Sequence, residues 1–179
     1  MLYNYYFLDG LKSYIDFTVL NSPIDFISQA LFIRRSKQSD TPEIEDSRIK
    51  IVKIVLDSGF VLPSDYPTNS VGFAVRKVLL MESVADRFQV AKHMLDIGFQ
   101  LFTNNPENNS ELAVQLINNR TDATCLEIIK NNIAAFKEIR LSVAGSTNGS
   151  NLADYFYWVK EDMLAVNFIR ETIGLDISP

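Results

Sequence analysis

Residues 48–62 read RIKIVKIVLDSGFVL and residues 87–101 read RFQVAKHMLDIGFQL. Seven of the fifteen aligned positions are identical: Arg48/Arg87, Lys53/Lys92, Leu56/Leu95, Asp57/Asp96, Gly59/Gly98, Phe60/Phe99 and Leu62/Leu101. The offset of 39 residues is that of a repeated supersecondary unit. Each copy has helical periodicity up to its glycine. Ile49, Val52 and Leu56 fall on one face, and Lys50, Lys53 and Asp57 on the other. Gly59 and Gly98 stand where a left-handed residue ends a helix, so they are expected to be stop signals. Phe60 and Phe99 follow them and are expected to pack back onto the helix or onto the next unit.

A second recurrence lies upstream. Ser22-Pro23-Ile24, Asn69-Ser70-Val71, Ser110-Glu111-Leu112 and Ser150-Asn151-Leu152 share the pattern Ser/Asn, any residue, aliphatic. Ser and Asn are good N-caps, and Pro23 suits a first helical turn. The aliphatic positions recur at intervals of 47, 41 and 40, which predicts a unit of cap, helix, turn, helix, glycine and loop. The third unit carries Asn132 at the glycine position, as Asn tolerates positive φ. The fourth ends at Gly174. Met1–Phe17 is expected to be a capping helix or half-unit, and Arg34–Ser47, with mixed charge and Thr41-Pro42, an inserted surface loop.

A helix start of this kind followed by Leu-x-x-Gly resembles the ankyrin repeat. Ser22-Pro23-Ile24-Asp25 is similar to its opening. Val55-Leu56-Asp57-Ser58-Gly59, Met94-Leu95-Asp96-Ile97-Gly98 and Gly174-Leu175-Asp176-Ile177 are similar to its close. The resemblance runs from about Val19 to the C-terminus. It implies one all-α domain over residues 1–179, an α-solenoid of about four stacked helix-turn-helix units. Units near 40 residues are also the length of HEAT-type pairs, so a generic stack of helical pairs is the alternative.

Composition agrees with a folded, helical chain. Of 179 residues 47% are hydrophobic, with twelve Phe, seven Tyr, and only seven Gly and six Pro. A net charge of −5 repels phosphate backbones and argues against nucleic acid as a partner. Arg34, Arg35 and Lys37 read as a solvated basic loop. No apolar run reaches membrane-spanning length, and the start Met1-Leu2-Tyr3-Asn4-Tyr5-Tyr6 lacks the features of a signal peptide. The sequons at Asn108, Asn119 and Asn148 are therefore expected to be chance matches. A cytoplasmic chain, or one in a host cytosol, is the expectation.

Catalytic constellations are sparse. His93 is the only histidine and Cys125 the only cysteine, which rules out paired-histidine sites, an internal disulfide and multi-thiolate zinc. His93 aligns with Ile54 on a helix flank, and Cys125 with Ala91 and Val52 in the core. Asp154, Glu161 and Asp162 with Tyr155, Tyr157 and Trp158 read as a solvated face beside an aromatic core. No cofactor or metal is expected.

The resemblance implies a non-catalytic protein–protein interaction module, monomeric or weakly self-associating. Its role would be that of an effector, an inhibitor or immunity-type protein, or a regulator. Loops after the terminating glycines would bind the partner protein, together with a concave helical face. Candidate contacts are Asp65 and Tyr66 in one loop and Asn104, Asn105, Glu107 and Asn108 in the next. The alternatives are a substrate-recruiting domain of a larger enzyme, or an enzyme using the carboxylates from Asp154 to Asp162.

Overall fold

A computed structural model describes residues 41–59, 62, 68–142 and 149–178, together with Ile27. The described residues are all-helical, with a single isolated bridge between Leu141 and Ser150 in place of any strand. The chain divides into two compact units, Met1–Gln100 and Leu101–Pro179.

In the first unit, α1 (Pro42–Asp57) and α2 (Thr68–Leu79) both pack on α3 (Arg87–Asp96). Pro42 starts α1 at the position where a missing N–H costs nothing, and Glu43 and Glu45 suit the positive end of the helix dipole. Ile49, Val52, Val55 and Leu56 are buried, while Lys50 and Asp57 lie in solvent. Their counterparts are Ala74, Val75, Val78 and Leu79 on α2 and Phe88, Val90, Ala91 and Met94 on α3. Met81 and Val84 fill the α2–α3 turn. Lys53 pairs with Asp86 just before α3, and Ser83 donates to Glu45, so polar contacts also join α1 to that turn.

The two copies of the fifteen-residue motif end alike. Gly59 has φ 81° and its N–H donates to Leu56 O. Gly98 has φ 106°, with Gly98 N donating to Leu95 O at 3.1 Å and Phe99 N to Met94 O at 3.0 Å. That pair of bonds is the Schellman arrangement, which satisfies carbonyls left over at a helix C-terminus. Phe99 is buried behind it. Phe60 lies outside the described residues.

The second unit strings shorter helices together: α4 (Pro106–Asn118), α5 (Ala123–Asn131), α6 (Ile133–Lys137), α7 (Leu152–Trp158) and α8 (Met163–Phe168). A π-turn, Ile169–Ile173, continues α8 and ends at Gly174 with φ 77°. Helices α4 and α5 form one hairpin and α7 and α8 another, while α6 packs on α5 and on the π-turn. Leu112, Leu116, Ile117, Ile128, Ile129, Phe136, Phe156, Val166 and Ile169 are among the side chains at its centre. Phe102 meets the Phe136 ring edge-on at 5.2 Å.

Five local expectations are corrected. Asn132 does not take the left-handed conformation: its φ is −122°, and the chain runs on into α6 rather than leaving in a loop. Its Nδ2 donates back to Ile128 O. The stretch Arg34–Ser47 is helix from Pro42 onward, because the proline opens a helix instead of breaking one. Ser110 is inside α4, since Asn105 and Pro106 begin that helix a turn earlier, and its hydroxyl bonds to Pro106 O and Arg140 O. Asn69 likewise falls within α2, and Asn151 rather than Ser150 caps α7. Residues 1–17 lie outside the described residues.

The glycines yield the first expected outcome. A Cβ at Gly59 would meet nothing within 4 Å, and at Gly98 only Leu62 at 3.6 Å. Strain at either site therefore comes from φ alone. Gly59→Ala and Gly98→Ala should each cost about 1 kcal/mol in chemical denaturation, and Gly59→Asn distinctly less. Phe99→Ala should cost roughly 3–5 kcal/mol. An unchanged midpoint for Phe99→Ala would contradict its burial.

Candidate functional site

The loop leading into α4 carries four of the expected contact residues, and its geometry separates them. Asn105 is the N-cap: its Oδ1 accepts from Glu107 N at 3.0 Å and Asn108 N at 3.2 Å. That oxygen is thus already bonded twice within the fold. Asn109 pins the same loop, accepting from Thr103 N at 2.8 Å and donating to Thr103 O at 2.7 Å. Asn104 and Glu107 remain exposed, and Asn108 is half-buried. Asn104, Asn105 and Glu107 are thus all exposed where the loop enters α4, with the Asn105 side-chain oxygen committed to the cap. Asp65 and Tyr66 lie outside the described residues. The loop after α6 is closed by reciprocal bonds of 2.8 Å between Leu141 and Ser150.

Asp154, Asp162 and Cys125 have structural partners. Asp154 is 4% exposed and closes a capping box with Asn151: Asn151 Oδ1 accepts from Asp154 N, and Asp154 Oδ2 accepts from Asn151 N. The same carboxylate accepts from Ser178 N at 2.7 Å and Ser178 Oγ at 3.0 Å. It thereby fastens the chain after Gly174 to the start of α7. Arg170 reinforces that tether by holding Asp176 at 2.7 and 3.0 Å, and the guanidinium keeps the Asp176 carboxyl below its ordinary range. Asp162 caps α8 through Ala165 N and faces Arg120 at 3.4 Å. Cys125 is buried and its thiol donates to Leu116 O. His93 is exposed on α3. Among the described residues no three His, Cys, Asp or Glu side chains gather as a metal site would require.

The aromatic stretch of α7 departs from expectation. Phe156 is fully buried, but Trp158 is 63% exposed, with Tyr157 edge-on against it at 4.6 Å. Val159, Met163 and Leu164 are exposed as well, Leu164 to 75%. These four side chains flank the α7–α8 turn, which is closed by Asp162 N donating to Phe156 O at 3.0 Å. Glu161, within it, is the one non-glycine residue of positive φ among the described residues, at 53°. A sequence signal for this cluster exists. Ala165, Val166, Ile169 and Ile173 form the buried stripe of α8 and its π-turn, and at 100° per residue Leu164 projects to the far side of it.

No protein-family model matches the chain, and no curated protein or solved structure matches it.

The capping box predicts that Asp154 is a structural carboxylate. Asp154→Ala should destabilise the second unit by about 2–4 kcal/mol, because it strands the Ser178 and Asn151 donors. Native-state hydrogen exchange should show Ser178 losing protection first. A variant with wild-type denaturation and exchange would refute the tether.

Proposed function

We propose that the chain is a non-catalytic protein–protein interaction module, a degenerate ankyrin-like repeat protein of about four helix-hairpin units. The observation that carries this reading is the α7–α8 turn, where Trp158 and Leu164 stand in solvent at 63% and 75% exposure. Large apolar side chains grouped at a turn are what a partner's surface covers in an interface core. Aromatic residues in such positions concentrate binding energy. The repeat assignment is supported by the left-handed glycines at 59, 98 and 174, each closing a helix. The kind of function is drawn by analogy with ankyrin-like repeat proteins.

In this proposal Asn104, Glu107 and Asn108, with Asp65 and Tyr66 of the preceding loop, supply polar contacts to the partner. Asn105, exposed beside them, contributes its free amide group while its Oδ1 holds the α4 cap. No helix among the described residues is long and apolar enough to cross a membrane, and the proposed setting is the cytosol, the cell's own or a host's.

Affinity capture from the native cell, with wild-type protein as bait, tests the reading. A stoichiometric protein partner is expected, and Tyr66→Ala should weaken it by about 1–2 kcal/mol with stability unchanged. Recovery of a chemically altered small molecule without any partner would favour an enzyme instead.

A further inference from the structure

We infer that the α7–α8 turn is the docking site for a basic, amphipathic segment of a partner protein, anchored on Trp158 and Leu164 and steered by Glu161 and Glu171. This rests on the interaction-module reading and names its surface and the chemistry of its partner.

Trp158 and Val159 end α7, and the closed turn starts α8 beside them, so Met163 and Leu164 emerge at the same end of the hairpin. Along α8 and its continuation Leu164, Asn167 and Glu171 follow one another on the exposed side, opposite Ala165, Val166, Ile169 and Ile173. A ligand seated on Leu164 and extending along the helix therefore meets Glu171 two turns later.

Asp162 faces Arg120, Arg170 is held by Asp176, and the Lys160 ammonium lies 5.8 Å over the Tyr155 ring. No described cation pairs with Glu161 or Glu171, and both side chains are exposed. Against the single Lys160 charge, which a ring face does not neutralise, these two carboxylates leave the rim acidic, on a chain whose net charge is −5. Lysines or arginines flanking the apolar anchors of a partner are the complement.

Charge and size also select against the other occupants. Four partly exposed side chains present on the order of a few hundred Å², short of the roughly 800 Å² per partner that a stable dimer buries. An anionic lipid surface would be repelled by the same rim. A single amphipathic helix, laying a few anchors on a small apolar surface, fits both the area and the charge.

Trp158 is the only tryptophan in the chain, so its emission reports on this turn alone. Wild-type protein is titrated with a synthetic helical peptide of about 18 residues free of aromatics, with Leu at i, i+3, i+4 and i+7 and Lys elsewhere. A saturable blue shift is expected, weakening as salt rises. Leu164→Ser should raise Kd about tenfold or more without moving the thermal midpoint. Glu171→Lys should weaken binding most at low salt. An equal shift with the Glu-for-Lys version of the peptide overturns the charge assignment. So do a shift that grows with protein concentration alone as the mass doubles, and a shift on neutral phosphatidylcholine vesicles without one on the peptide. Native-cell capture with the Leu164→Ser bait separates the two levels of reading. If that variant retains the partner at full yield, the docking site is wrong and the module reading stands. If wild-type bait captures no partner, both fall.

Discussion

Helices of five to nine residues do not persist in water, since the cost of nucleating a turn is recovered only over many residues. Yet α5, α6, α7 and α8 all fall in or below that range. What holds them is the burial of one apolar stripe per helix against a neighbouring helix. Ile128 and Ile129 on α5, Phe136 on α6, Phe156 on α7 and Val166 on α8 are each exposed by no more than 1%. Each such side chain contributes roughly 1.5–3 kcal/mol by leaving water, before the entropy of ordering is subtracted. No single helix in the second unit can form without the others, so its stability is a property of the whole unit.

Short helices have a second consequence. A larger share of their backbone groups lies at an end, where N–H and C=O lack partners within the helix. The chain meets this with polar side chains: Asn105, Asp122, Asn151 and Asp162 each accept from a backbone N–H at a helix start. At the other end Gly59, Gly98 and Gly174 reverse the chain in the left-handed region, which costs a residue without Cβ little. Part of the chain's Asn and Asp content is therefore the chemistry of helix ends. Asn105 shows the overlap most clearly, an exposed candidate contact residue whose side-chain oxygen caps α4.

This explains which features were legible in the sequence. The glycine stops and the apolar stripe of α1 were readable because backbone chirality and a period of 3.6 residues act locally. Asn132 was misread because Asn suits both a left-handed stop and a link into another helix. Only tertiary context, the packing of Phe136 on α6 into the core, selects the second. Ser110 was misread as a cap because a local Ser-x-aliphatic pattern cannot show that Asn105-Pro106 opens the helix a turn earlier. Among candidate site residues, Asn104, Asn105 and Glu107 emerged as solvent-facing, whereas the exposure of Trp158 was hidden in a run of aromatic residues whose other members pack inward or against one another.

The exposed cluster follows from the constraint on short helices. A seven-residue helix has barely two turns, and α7 uses Leu152, Ala153 and Phe156 to bury one side of them. Trp158 lies on the opposite side, and no later turn of α7 exists to fold it back. In α8 the capping of Asp162 fixes where the helix starts, which fixes the phase of Ala165, Val166 and Ile169 toward the core. Leu164 is left facing outward by the same phase. The left-handed Glu161 completes the arrangement: a non-glycine residue in that region costs about 1–2 kcal/mol, which the surrounding contacts must offset. The hairpin is thus held by its caps, the backbone bonds of its turn and its buried stripe, while the Trp158 and Leu164 side chains stand outside that support. A surface that the fold does not need for its own stability, and that water disfavours, is one that a partner can cover without disturbing the helices beneath it.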